Sequence, residues 1–208
     1  MELLELISER LQAGKAKEVK QLVQQAINEG IAAQDILEQG LLSGMSVIGE
    51  KFKKNEVFVP EVLVAARAMN RGAELLKPLL MQEGVQNVGR VCIGTVQGDL
   101  HDIGKNLVKM MMEGKGLEVV DLGTDVSAET FVKTAIEQNC QIIACSALLT
   151  TTMPALEATV AALKAAGKNY KIMVGGAPIN QEFADKVGAD AYTADAASAA
   201  KKARELVG

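Results

Sequence analysis

The sequence predicts a helical bundle followed by a doubly wound α/β domain built on a five-stranded parallel sheet. Three observations predict it. Residues 1 to about 84 repeat apolar side chains at helical spacing, with Gly14, Gly30 and Pro60 as punctuation. From Arg90 the rhythm changes to short apolar runs that alternate with helical patterns. Between the two lies a short polar stretch, Gln82 to Gly89, which reads as a linker.

In the first half, Leu3, Leu4, Leu6, Ile7 and Leu11 form one apolar stripe and Val19, Leu22, Val23, Ala26 and Ile27 a second. Ile36 to Ile48 and Val62 to Leu80 supply two longer faces. Four helices joined by short loops make a small bundle, giving a domain at 1–84. In the second half the strands are predicted at Val91–Val96, Leu117–Leu122, Ile142–Ser146 and Ile172–Val174, with a weak fifth at Ala189–Thr193. Helices are predicted near Gly104–Glu113, Ala128–Gln138, Pro154–Ala166, Asn180–Val187 and Ala196–Leu206. Right-handed crossovers then give a sheet of flavodoxin-like, Rossmann-like type over 90–208.

Composition narrows the function classes. The chain has 208 residues, 49 % hydrophobic and 23 % charged, with a net charge of −4. The interspersed signs argue against a nucleic-acid partner, which requires a basic face. No apolar run approaches the roughly 18 residues of a membrane helix. The start, Met1-Glu2-Leu3-Leu4-Glu5, is unlike a signal peptide, so a cytoplasmic location is expected. Cys92, Cys140 and Cys145 share no metal-type spacing and read as reduced core thiols. With one histidine, a zinc site made by protein alone is not expected.

That histidine, His101, stands at the C-terminal end of the first strand, where open α/β sheets bind ligands. Its loop reads Gly98-Asp99-Leu100-His101-Asp102-Ile103-Gly104-Lys105-Asn106. It is not a P-loop: Gly98 and Gly104 enclose five residues, and Asn106 follows Lys105. A carboxylate two residues before an imidazole can fix its tautomer and raise the basicity of the far nitrogen, the usual support of a metal-bound histidine. A histidine that merely caps the next helix is the alternative. Asp102 reads as the N-cap of a helix starting at Ile103. After the third strand comes a hydroxyl-rich loop, Ser146 to Met153, whose hydroxyls either meet a ligand or satisfy the loop itself. After the fourth comes Gly175-Gly176, which permits close approach of backbone to a ligand or makes a turn. Ser146 and Gly175-Gly176 together outline a slot between adjacent strands.

The signature Asp99-Leu100-His101-Asp102-Ile103-Gly104, then Ser146-x-Leu148, then Gly175-Gly176, resembles the corrinoid-binding module of cobalamin-dependent methyltransferases. Gly44-Met45, Phe52 and Phe58-Val59-Pro60-Glu61 resemble that family's helical cap. The resemblance spans nearly the whole chain and matches the free-standing corrinoid proteins of methylamine, methanol, betaine and methoxyaromatic methyl-transfer systems. It implies a cobalamin or related corrinoid, methylcobalamin in the loaded form, bound base-off and His-on. His101 would be the lower axial cobalt ligand, with Asp99 bonding its other nitrogen. Thr152 would extend that relay. Gly98, Leu100, Asp102, Ile103 and Gly104 would belong to the cofactor-binding loop. Ser146, Leu148, Gly175 and Gly176 would line the slot for the nucleotide tail, Thr150 would approach the nucleotide loop or corrin edge, and Asp195 and Ala196 would lie near the nucleotide. Phe52 and Val59 would cover the upper face, Val59 being smaller than the leucine common there. For both, ordinary bundle core is the alternative.

The function so implied is a methyl shuttle: a carrier subunit rather than a complete enzyme. It would pass a methyl group from a substrate-specific methyltransferase to a second methyltransferase that uses an acceptor such as tetrahydrofolate or a thiol. A reductive activation protein is a further expected partner. The competing readings are an adenosylcobalamin-binding subunit of a mutase, a cobalamin-dependent sensor, and a flavodoxin-like signalling domain without cofactor.

Overall fold

The computed structural model describes residues 2–82 and 88–208. Most of the expected Gln82–Gly89 linker, residues 83–87, lies outside the described residues. The chain divides into two compact units, Met1–Asn87 with Gly114–Gly116, and Val88–Glu113 with Leu117–Gly208.

The first unit is helical. Helix α1 (Glu2–Gln12) and α2 (Ala16–Asn28) end before Gly14 and Gly30, whose positive φ angles, +68° and +77°, suit glycine at a helix end. The third periodic stretch is one run of α3 (Ala33–Asp35), a π-helical segment (Ile36–Leu42) and α4 (Ser43–Lys53). The π segment surrounds Gly40, where an added Cβ would come within 3.1 Å of the Ile7 side chain. Helix α5 (Val59–Gln82) begins with Pro60 in its first turn, and Glu61 accepts the Phe58 N–H at 2.7 Å. That is half of a capping box, so Phe58-Val59-Pro60-Glu61 has a local helix-starting job. Ile7, Leu11, Val19, Val23, Ile36, Leu41, Val62 and Leu76 are fully buried in this unit.

The second unit contains all five expected strands, in the order β2-β1-β3-β4-β5 and all parallel. They are β1 (Arg90–Thr95), β2 (Glu118–Asp121), β3 (Ile142–Ser146), β4 (Lys171–Gly175) and β5 (Ala191–Tyr192). The connecting helices are α6 (Ile103–Glu113), α7 (Ala128–Glu137), α8 (Met153–Ala165), α9 (Gln181–Val187) and α10 (Ala196–Leu206). Several starts are set by sequence: Ser127, Asn180 and Asp195 accept first-turn N–H groups of α7, α9 and α10. α6 and α10 pack together on one side, while α7, α8 and α9 pack in series around Phe131, Leu156, Val160 and Leu163. The three cysteines are free and buried, and burial pushes the Cys145 thiol up to about 12. No helix among the described residues is long and apolar enough to cross a membrane.

One buried charge ties this unit together. Lys105 of α6 is 3 % exposed, and its ammonium donates to Asp121 Oδ1 at the end of β2 (2.6 Å). Burial works to raise the Asp121 carboxyl. The bond and charge of Lys105, with Gly123 N–H and Lys109, reverse that and hold it below the ordinary carboxylate value. Lys105 is thus committed to a strand-end carboxylate, in keeping with the absence of a P-loop here. Asp121→Asn leaves Lys105 charged and buried without its counter-charge. It should destabilise the protein by about 3 kcal/mol in urea unfolding, the low end for breaking a buried pair because Asp121 is partly reached by water.

Candidate functional site

The strand order reverses between β1 and β3, so the loops that leave their C-terminal ends diverge and open a crevice. His101 sits on the loop after β1, and Ser146 ends β3. The register pairs Thr95 with Ser146 and Ser146 with Gly175, which places three strand ends side by side.

Asp99 organises the crevice. It is 0 % exposed, and both carboxylate oxygens are used twice. Oδ1 lies 2.7 Å from His101 Nδ1 and accepts the His101 backbone N–H at 3.0 Å. Oδ2 accepts the Leu148 N–H at 2.7 Å and the Thr152 hydroxyl at 2.8 Å. Burial alone would push this carboxyl up. The Leu148 and His101 N–H groups, the His101 ring and the Thr152 hydroxyl more than reverse it and hold the group well below the usual carboxylate range. An ionised carboxylate only accepts hydrogen bonds, so the Nδ1 contact puts the ring hydrogen on Nδ1. The neutral ring then carries its lone pair on Nε2, and the His101 side chain is half exposed. The buried Thr95 hydroxyl donates to the His101 carbonyl at 2.8 Å and fixes the loop from beneath.

The slot expected between β3 and β4 has physical form. At Gly175 an added Cβ would meet nothing within 4 Å, which leaves open space beside Ser146. Gly176 is the opposite case. Its φ is +124°, and an added Cβ would come within 1.8 Å of the Ala147 carbonyl oxygen, so only glycine lets the two strand-end loops close on each other. Gly104 opens α6 with nothing within 4 Å of its Cβ position, and Gly98 has φ +83°.

The structure brings Asp99, His101, Leu148 and Thr152 into one hydrogen-bonded network, with Gly98 beside Thr152 and Ser146, Gly175 and Gly176 at the adjoining strand ends. Thr150 is exposed on the short 3₁₀ turn Thr150–Thr152. Asp102 precedes α6, and its carboxylate accepts the Asn106 side-chain amide at 3.0 Å rather than a backbone N–H. Asp195 caps α10: its two oxygens accept the Ser198 N–H and hydroxyl, both at 2.8 Å. Neither Asp195 nor the buried Ala196 joins the His101 cluster. Phe52 in the last turn of α4 and Val59 at the start of α5 are half-buried parts of the helical unit. Two contributors escaped the sequence reading. Thr95 is a polar residue closing an apolar strand, and a buried hydroxyl must find a partner, so its signal was present. Leu149 is 41 % exposed next to Leu148 at 40 %, and Leu100 (74 %) and Ile103 (75 %) flank His101 in sequence, so both loops of the switch point expose apolar side chains. A run of Leu in a loop gives no sign of this before the fold is known.

A doubly wound domain with a carboxylate-held imidazole at its switch point, open space at Gly175 and exposed leucines on the neighbouring loops carries its features where such folds bind ligands. Comparisons with known proteins agree. The family described as B12 binding domain matches residues 89–202, and a second family of the same description matches residues 3–77. A trimethylamine corrinoid protein of Methanosarcina acetivorans is 43 % identical over 191 residues, covering 90 % of this chain and 88 % of its own length. A corrinoid protein of Desulfitobacterium hafniense is 38 % identical and covers 100 % of this chain and 99 % of its own. The crystal structure of the methanol:cobalamin methyltransferase complex MtaBC from Methanosarcina barkeri matches with a TM-score of 0.89 at 31 % identity, over 99 % of this chain and 80 % of that one. The chain belongs to the B12-binding corrinoid protein family.

Two expectations follow from this geometry. Gly176→Ala should lower the thermal midpoint by several degrees, about 1–3 kcal/mol of backbone strain and clash. Gly175→Ala, which meets open space, should melt close to wild type in the same calorimetric scan. Asp99 stabilises the fold fully above about pH 4, the unfolded value, and that contribution is lost as pH falls through its depressed folded value. Thr152→Val removes a donor, raises the folded value, and should move the acid transition followed by circular dichroism to higher pH.

Proposed function

We propose that this chain is a corrinoid carrier subunit of a methyltransferase system, with His101 Nε2 as the protein's ligand to the corrinoid metal. The observation that carries the ligand assignment is the Asp99–His101 pair: a wholly buried, ionised carboxylate fixes the ring with hydrogen on Nδ1 and turns Nε2 outward at the switch point. That is how metal-bound histidines are supported. The residues suit the group on two further counts. The space beyond Gly175 and Ser146 suits a nucleotide tail, and Leu100, Ile103, Leu148 and Leu149 offer apolar surface to a macrocycle. Among the described residues no three His, Cys, Asp or Glu side chains gather as a metal-holding group.

The corrinoid, when bound, supplies a metal centre able to accept and hand on a methyl group. The chain's part is to bind, orient and hold a proton. Asp99 would hold the Nδ1 hydrogen and the ring orientation with Nε2 free to act as a ligand. If Nε2 releases its ligand and takes up a proton, the same carboxylate faces an imidazolium and stabilises it by direct charge. Thr152 and the Leu148 N–H keep Asp99 ionised and in place during both conditions. Gly98, Asp102 and Gly104 shape the loop around His101, Gly176 closes the slot, and Thr150 stands at its rim. Roles for Asp195, Ala196, Phe52 and Val59 rest on the family resemblance.

The donor side is a substrate-specific methyltransferase, and a second methyltransferase with a tetrahydrofolate or thiol acceptor takes the group onward. A reductive activation protein and a cytoplasmic location complete the proposal. His101→Ala holoprotein should lose the absorption spectrum of the His-on form or most of its bound corrinoid. An unchanged spectrum sinks the ligand assignment. Gly175→Leu, which fills the slot, should weaken cobalamin binding while the apoprotein remains folded.

A further inference from the structure

We infer that Asp125, in the loop between β2 and α7, is a positioning residue for the His101 loop. This rests on the proposed role of His101 and extends it to a residue outside the signature motif. Asp125 reaches that loop by two bonds. Its Oδ1 accepts the Gly98 N–H at 2.7 Å, and its own N–H donates to the Asp99 carbonyl at 3.0 Å. To make both, it adopts the left-handed backbone region, φ +54°, which aspartate tolerates better than most residues and glycine tolerates best. A glycine would remove the conformational strain and also the carboxylate that holds Gly98.

The loop that carries Asp125 is itself stitched to β1. Thr95 N–H donates to the Gly123 carbonyl, Val126 N–H donates to the Thr95 carbonyl, both at 3.0 Å, and Val96 bridges Val126 in parallel. Asp125 is therefore a fixed post, although its side chain is exposed. The clamp divides the work on Asp99: Leu148 and Thr152 hold the carboxylate, whereas Asp125 holds the main chain on both sides of the Asp99 Cα. Because Oδ1 of Asp99 receives both the His101 N–H and the ring Nδ1, a shift of that main chain is passed directly to the imidazole.

The test compares Asp125→Gly, which keeps the backbone conformation and the N–H donor but loses the acceptor, with Asp125→Asn, which keeps an acceptor. Aquocobalamin binding should weaken up to about 10-fold in Asp125→Gly, the low end of the loss seen for a direct outer partner of a metal-bound histidine, because Asp125 acts one bond further out. The absorption spectrum of its bound fraction should shift away from that of wild type, and Asp125→Asn should restore both. The chain has one histidine, so its imidazole gives a single set of nitrogen resonances in the apoprotein. Those should report one Nδ1–H tautomer in wild type and Asp125→Asn, and a mixture in Asp125→Gly. Wild-type affinity, spectrum and tautomer in Asp125→Gly would overturn the inference, as would an Asp125→Asn variant as impaired as Asp125→Gly. If wild-type protein fails to take up aquocobalamin, the carrier reading falls, and the apoprotein tautomer still decides whether Asp125 sets the imidazole.

Discussion

A carboxylate with no access to water must find all its hydrogen bonds inside the protein, and Asp99 is such a group. Its four partners come from three places: its own loop, the backbone of Leu148 after β3, and the hydroxyl of Thr152. Satisfying one charge therefore locks the two loops of the switch point to each other. The orientation of His101, the ionisation of Asp99 and the path of the Leu148–Thr152 segment are one arrangement, because none of them holds without the others. Breaking such a network strands a buried charge, which is costlier than losing any single bond.

Topology explains why this arrangement lies where it does. In the order β2-β1-β3-β4-β5 the chain leaves β1 toward one face and β3 toward the other. The crevice between the departing loops needs no special residues; it follows from right-handed crossovers. What residue choice adds is the lining: an imidazole on the loop after β1, glycines that admit close backbone approach after β4, and exposed leucines and an isoleucine on the loops after β1 and β3. The absence of side chains at Gly175 and Gly176 works in two ways. One glycine leaves a space, and the other removes a collision with the Ala147 carbonyl.

The rest of the α/β unit supplies rigidity to the same loop. Lys105 lies in the first turn of α6, directly after the His101 signature, and its buried ammonium bonds Asp121. The β2 end so fixed leads through Gly123 to the loop that meets Thr95, and Thr95 holds the His101 carbonyl. The supports of His101 thus reach from the edge strand to the hydroxyl loop after β3.

The fold was legible because its signals are local. Helical and strand periodicities and the helix-ending Gly14 and Gly30 each act within a few residues of themselves; the caps Ser127, Asn180 and Asp195 are equally local but went unread. The π segment at Ile36–Leu42 was not legible, since the need to pack Gly40 against Ile7 of another helix overrides an otherwise ordinary helical pattern. In the site, the spacing Asp99-x-His101 was enough to suggest the supported imidazole, because residues two apart on a loop can meet without help. The partners of Asp99 from beyond residue 145, the Thr95 bond, the Asp125 clamp and the apolar rim with Leu149 all depend on segments brought together across the sheet. The sequence by itself determined which residues could do the chemistry and which elements carry them. Only the tertiary structure decided that Asp99 is wholly buried and ionised, and hence which nitrogen of His101 faces outward, because desolvation and hydrogen-bond supply are properties of the packed chain and of no segment alone.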